Sequence, residues 1–124
     1  MKFASVRVGT PDLERLVEFY QRLSGIEAIR LADGFAAMRF EGSTLAISSE
    51  HLTKLFNAGA ATAAADQSAI LEFEVEDVDA VFERMNASGT NIVMPTTLMA
   101  WGNRSLLLRD PDGNLVNIFS GPGS

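Results

Sequence analysis

The chain of 124 residues has no cysteine and a single residue each of histidine, tryptophan and tyrosine. The missing thiols exclude disulfides, zinc ribbons, iron–sulfur ligation and cysteine nucleophiles, and His51 alone builds no multi-histidine metal site. Long apolar runs are absent as well, since no stretch approaches the ~20 residues that a bilayer-spanning helix needs. FASVRVG after Lys2 lacks the apolar run and cleavage site of a signal peptide. A soluble, cytoplasmic protein is expected. Basic residues are scarce in the second half. Residues 1–62 carry seven acids and seven bases, whereas residues 63–124 carry nine acids and only Arg84, Arg104 and Arg109, which accounts for the formal charge of −6. Phosphate neutralisation needs clustered Lys and Arg, so nucleic-acid binding is disfavoured.

What is present is a repeat. DLERLVEFYQRLSG at 12–25 and DVDAVFERMNASG at 77–89 place Asp12, Leu13, Leu16, Val17 and Tyr20 in register with Asp77, Val78, Val81, Phe82 and Met85. Both sets follow i, i+3, i+4, i+7, which predicts two amphipathic helices, each with one buried stripe. Asp12 and Asp77 stand at the N-cap positions, and Gly25 and Gly89 stand where each helix must stop. Ahead of each helix the pattern alternates: Val6 and Val8 in the first copy, then Leu71, Phe73 and Val75 between Glu72, Glu74 and Glu76. That is a strand with one apolar face. After the helices come IEAIRL, FAAMRF and TLAIS in the first copy, and NIVM, RSLLLR and LVNIF in the second. Asp110-Pro111-Asp112-Gly113-Asn114 between the last two is a tight-turn signal. Each half therefore reads strand, helix, strand, strand, strand. Module one is expected over 1–50, an Ala/Gly-rich linker over 51–68 and module two over 69–124, within a single α+β domain. By the scaling of surface with mass, about two-thirds of the surface of a chain this size is buried on folding, enough for a core without staples.

Together with this repeat, three segments carry a family resemblance. They are Asp12-Leu13 with Phe19-Tyr20, Phe73-Glu74-Val75 before Asp77-Val78-Asp79, and above all Trp101-Gly102 followed by Arg109-Asp110-Pro111-Asp112-Gly113-Asn114-Leu115. The chain resembles the vicinal oxygen chelate superfamily, also called the glyoxalase/bleomycin resistance/dioxygenase family. The resemblance implies two βαβββ modules forming a curled eight-stranded half-barrel around a cavity, often with a second chain contributing, and hence a homodimer. It also implies metal ligands on the first and fourth strand of each half. Those positions fall on Ser5, Ala46, Ile70 and Asn117. Ile and Ala cannot coordinate a cation, and Ser and Asn are weak neutral donors, so neither a metal nor another cofactor is expected. The acids from Glu72 to Asp79 read as solvated side chains and a helix cap, and His51 reads as a surface imidazole.

Strand alternation turns Ser5 and Arg7 toward the implied cavity, with Ile70, Glu72, Leu115, Asn117 and Phe119 beside them. Ser5 and Asn117 are either satisfied inward polar groups or ligand contacts. Arg7 either pairs with Glu72 or receives an anion. Trp101 either stacks on a planar ligand or packs against protein. Two functions follow from the resemblance. One is a metal-free binding protein like the bleomycin resistance proteins, sequestering an amphipathic or aromatic compound in a dimer cleft. The other is a metal-independent enzyme of lyase or isomerase type acting on a small carbonyl substrate, with Glu72 as general base and Arg7 or Asn117 stabilising an enolate.

Overall fold

Helix caps and apolar spacing set the two helices at the expected places. In the computed structural model, which describes residues 1–50 and 69–121, α1 spans Leu13–Ser24 and α2 spans Val78–Ala87. The Asp12 carboxylate accepts a hydrogen bond from the Arg15 N–H, and Asp77 accepts from the Ala80 N–H. Gly25 ends α1 in the left-handed region at φ 75°, donating its N–H to the Gln21 carbonyl. In α2 the cap is Ser88, and Gly89 with φ 77° follows it. The apolar stripes are buried: Leu16, Val17, Phe19, Tyr20 and Leu23 on α1, and Val78, Val81 and Met85 on α2. Burying each large side chain of this kind contributes about 1.5–3 kcal/mol before entropy is counted.

The chain divides into two compact units, Met1–Asp66 and Gln67–Ser124. In the first, β1 (Ser5–Thr10), β2 (Ile29–Ala32), β3 (Phe35–Phe40) and β4 (Ser43–Ser49) form one sheet in the order β1-β4-β3-β2. In the second, β5 (Ile70–Glu74), β6 (Asn91–Leu98), β7 (Arg104–Arg109) and β8 (Leu115–Ser120) repeat it as β5-β8-β7-β6. The fold is α+β with two βαβββ modules, and the strands among the described residues make two four-stranded sheets. In each sheet the first strand runs parallel to the fourth and the other neighbours are antiparallel. A helix crossover suits a parallel pair, and short turns suit antiparallel neighbours. α1 lies against β4, and α2 against β6, β7 and β8. The predicted linker, and His51 with it, lies outside the described residues.

One strand is longer than its apolar run. The pattern NIVM stops before Pro95, yet β6 continues to Leu98. Pro95 is tolerated because β6 is an edge strand whose register shifts between Ile92 and Met94 and again between Met94 and Thr97. A proline costs no ladder bond at an edge or a bulge.

Candidate functional site

Within each module the parallel strand pair turns a row of side chains away from its helix. In module two Val116 and Ile118 are buried on the helix side, as are Leu106 and Leu108 of β7. Ile70 pairs with Leu115, Glu72 with Asn117 and Glu74 with Phe119, and these side chains occupy the opposite face. Glu72 is exposed, Ile70 is 51% exposed, and Leu115, Asn117 and Phe119 are half-buried. The Asn117 Nδ2 donates to Glu72 Oε2 at 2.8 Å. Asn117 Oδ1 is buried, and no donor among the described residues reaches it. Beyond Asn117 the row continues into half-buried Leu107 and then Met94.

Module one has the same register with different contents. Arg7 pairs with Ala46, and Ala46 with Ala37. The small side chains of Ala46 and Ser48 leave room for the Arg7 guanidinium to reach across β4. It sits 4.9 Å from the centroid of the Phe35 ring, a cation–π contact worth about 0.5–1 kcal/mol at an exposed site. Ser5, opposite Thr44, is exposed.

These placements refine the expected site. Five of the predicted residues, Ile70, Glu72, Leu115, Asn117 and Phe119, come together on one face of β5 and β8, while Ser5 and Arg7 share the matching face of β1. Inside its own module each of the two charged groups has a partner: the Phe35 ring for Arg7 and the Asn117 amide for Glu72. Glu72 finds its partner on the registered neighbour strand β8, whereas Arg7 reaches past β4 to Phe35 on β3. Trp101 stands apart from the row. It is 66% exposed at the tip of the β6–β7 hairpin, where the Met99 N–H donates to the Asn103 carbonyl at 2.7 Å. Phe35 and Leu107 were not anticipated. The run Leu106-Leu107-Leu108 hides its own alternation, and only pairing with LVNIF separates half-buried Leu107 from its buried neighbours.

The four positions at which the resemblance implies metal ligands are register-equivalent between modules: Ser5 and Ala46 on β1 and β4, Ile70 and Asn117 on β5 and β8. Ala46 and Ile70 have no donor atom, and Ser5 and Asn117 offer only a neutral hydroxyl and a neutral carbonyl, so this set does not fit a metal ion. Among the described residues there is no group of three or more His, Cys, Asp or Glu placed to hold a metal ion. No helix among them is long and apolar enough to cross a membrane.

Two βαβββ modules, each with an outward row on its parallel strand pair, define a class that comparison with known proteins identifies. The family model of the Glyoxalase/Bleomycin resistance protein/Dioxygenase superfamily matches residues 2–118, and the chain belongs to that superfamily. It is 26% identical over 125 residues to the uncharacterized protein YraH of Bacillus subtilis, covering 96% of this chain and 98% of that protein. A family enzyme from Burkholderia phytofirmans superposes with a TM-score of 0.86 at 19% identity, covering 97% of this chain and 98% of the other. A glyoxalase/bleomycin resistance protein/dioxygenase from Nocardioides gives a TM-score of 0.80 at 22% identity, covering 100% of this chain and 85% of the other.

Proposed function

We propose that this protein is a metal-free binding protein that sequesters an amphipathic or aromatic small molecule in the cleft of a homodimer, as the bleomycin resistance proteins of its superfamily do. The observation that carries this reading is the donor set at the four register-equivalent positions. Ala46 and Ile70 offer no coordinating atom and Ser5 and Asn117 only weak neutral ones, while the surrounding rows keep a few polar groups among apolar ones, the usual makeup of a small-molecule site. Ser5 and Arg7 supply the polar contacts of module one, and Glu72 and Asn117 those of module two. Ile70, Leu115 and Phe119 supply apolar surface, and exposed Trp101 offers a further aromatic face. Dimerisation covers sheet edges that would otherwise invite uncontrolled pairing. The outer strands carry Ile29 and Leu31 on β2 and Val93 and Leu98 on β6, all substantially exposed. Such a binder protects its cell from a toxic compound stoichiometrically, in the cytoplasm.

A second reading, a metal-independent enzyme acting on a small carbonyl compound, draws on the exposed Glu72 carboxylate as a base with Asn117 beside it. One experiment separates the two. The purified protein, dialysed against chelator and checked by elemental analysis, is incubated with aromatic and carbonyl compounds while both bound and converted material are followed. Saturable binding with full recovery of the unaltered compound is expected. Product formation that Glu72→Gln abolishes would replace binding with catalysis, and about one tightly held transition metal per chain would overturn the metal-free reading.

A further inference from the structure

We propose that the Glu72–Asn117 pair selects ligands bearing a protonated nitrogen with at least two N–H groups, an amidinium or a primary ammonium, on an apolar or aromatic body. This deepens the binding reading above and rests on it. A carboxylate only accepts hydrogen bonds, so Glu72 requires Asn117 to present its Nδ2, as it does at 2.8 Å. The opposite orientation would set two acceptors against each other. The carboxamide is thereby fixed with Oδ1 turned away from Glu72, buried and with no donor among the described residues. A buried acceptor without a donor is costly, and a ligand N–H that reaches it recovers that cost. Glu72 uses only Oε2 toward Asn117, and among the described residues nothing binds its Oε1. The pair therefore presents two acceptors, Asn117 Oδ1 and Glu72 Oε1, beside the one Nδ2 hydrogen of Asn117 that Glu72 does not take.

Charge points the same way. Glu74 lies on the same face of β5, and residues 63–124 hold nine acids against three bases, so a cation is attracted and an anion repelled. Ile70, Leu115 and Phe119 flank the pair and Leu107 lies beside Asn117, which gives the body of such a ligand apolar surface to cover. The equivalent position of module one lacks this preference, because Ala46 has no polar atom and the charged group opposite it is Arg7.

The test titrates isotope-labelled protein with three probes of one shape: benzamidine as the amidinium, benzamide as its neutral counterpart and benzoate as the anion. Benzamidine is expected to shift the Asn117 side-chain amide resonances and to bind at least tenfold more tightly than benzoate. Glu72→Gln, at an exposed position, should weaken benzamidine at least tenfold without moving the melting temperature, and should leave benzamide nearly unaffected. Asn117→Val should weaken it similarly. Bound benzamidine that leaves the Asn117 resonances unmoved would mean that solvent alone satisfies Oδ1, and would overturn the assignment. Undiminished benzamidine binding by Glu72→Gln would do the same. If benzamide or benzoate binds on this face while benzamidine does not, the cation preference fails and the small-molecule reading stands. Absence of saturable binding by all three probes overturns both.

Discussion

The two modules share a backbone plan and differ in what they place on it. The parallel pair β1/β4 puts Arg7 against Ala46, and β5/β8 puts Glu72 against Asn117. One face thus carries a cation over an aromatic ring, and the other an acceptor pair with an unused buried carbonyl. On the helix side, by contrast, the modules stay alike, with apolar stripes, aspartate caps and glycines at or just past the ends. Repetition holds where packing and capping dictate residue type, and it lapses on the face turned away from the helix, where Ala37, Ala46 and Ser48 are buried in module one while Ile70 and Glu72 are exposed in module two. The turns diverge as well. β3 and β4 are joined by Glu41-Gly42 alone, whereas β7 and β8 are joined by Asp110–Asn114. There the Asp110 side chain, 4% exposed, accepts from the Asp112 N–H, the Asn114 N–H and the Asn114 Nδ2. The Arg109 guanidinium donates to the Gly113 carbonyl at 2.9 Å.

The sharpest way to probe this asymmetry is to remove the carboxylate at the centre of the longer turn. Asp110→Ala leaves three donors without their acceptor and should cost about 3 kcal/mol, whereas Glu41→Ala, on the exposed short turn, should change stability by no more than about 0.5 kcal/mol. Equal midpoints for the two variants in urea denaturation would erase the distinction. Gly113→Val comes next. Gly113 sits at φ 89° and a Cβ there would meet nothing within 4 Å, so the expected loss of roughly 1–3 kcal/mol is backbone strain alone. A melting temperature equal to that of the unmutated protein would refute the turn assignment.

Asn117→Ala addresses the ligand faces directly. It deletes an exposed hydrogen bond to Glu72 but also a buried, unsatisfied carbonyl, and the two effects oppose each other. The net change in unfolding free energy should therefore stay within about 1 kcal/mol; a loss of several would make Asn117 part of the core framework instead of a ligand contact. The smallest effects belong to a feature the modules share. Glu14 and Asp79 occupy the same position in their helices, and each pairs with an arginine of the sheet, Arg30 at 2.6 Å and Arg104 at 2.8 Å. Both pairs are largely exposed, so Glu14→Ala and Asp79→Ala should each cost at most about 1 kcal/mol, and less at high salt. A cost that salt does not reduce would show a packing role.

Much of the architecture was legible because it rests on local rules. The i, i+3, i+4, i+7 spacing, the cap aspartates, Gly25 and the turn from Asp110 to Asn114 each act over a few residues, and all appear in the structure where they were expected. Strand alternation likewise separated Val116 and Ile118, packed on the helix side, from Leu115, Asn117 and Phe119. It does not resolve RSLLLR, where three leucines conceal the period, and the run NIVM stops short of the end of β6, which continues through Pro95 to Leu98 as an edge strand.

By itself, then, the sequence determined the two βαβββ modules, their helix-facing cores and the lack of coordinating atoms at two of the four family ligand positions, Ala46 and Ile70, because periodicity, capping and side-chain chemistry are properties of the chain read locally. Only the tertiary structure decided the partners of the polar groups. That Arg7 lies over the Phe35 ring, and that Glu72 accepts from Asn117, depends on strand order and register within each module, which join residues 28 and 45 positions apart. The direction in which the Asn117 carbonyl points follows from the Glu72 carboxylate held beside it on the neighbouring strand. Hydrogen bonds are directional and short, so a side chain's partner is settled by which strand lies next to it, and that is a property of the folded sheet.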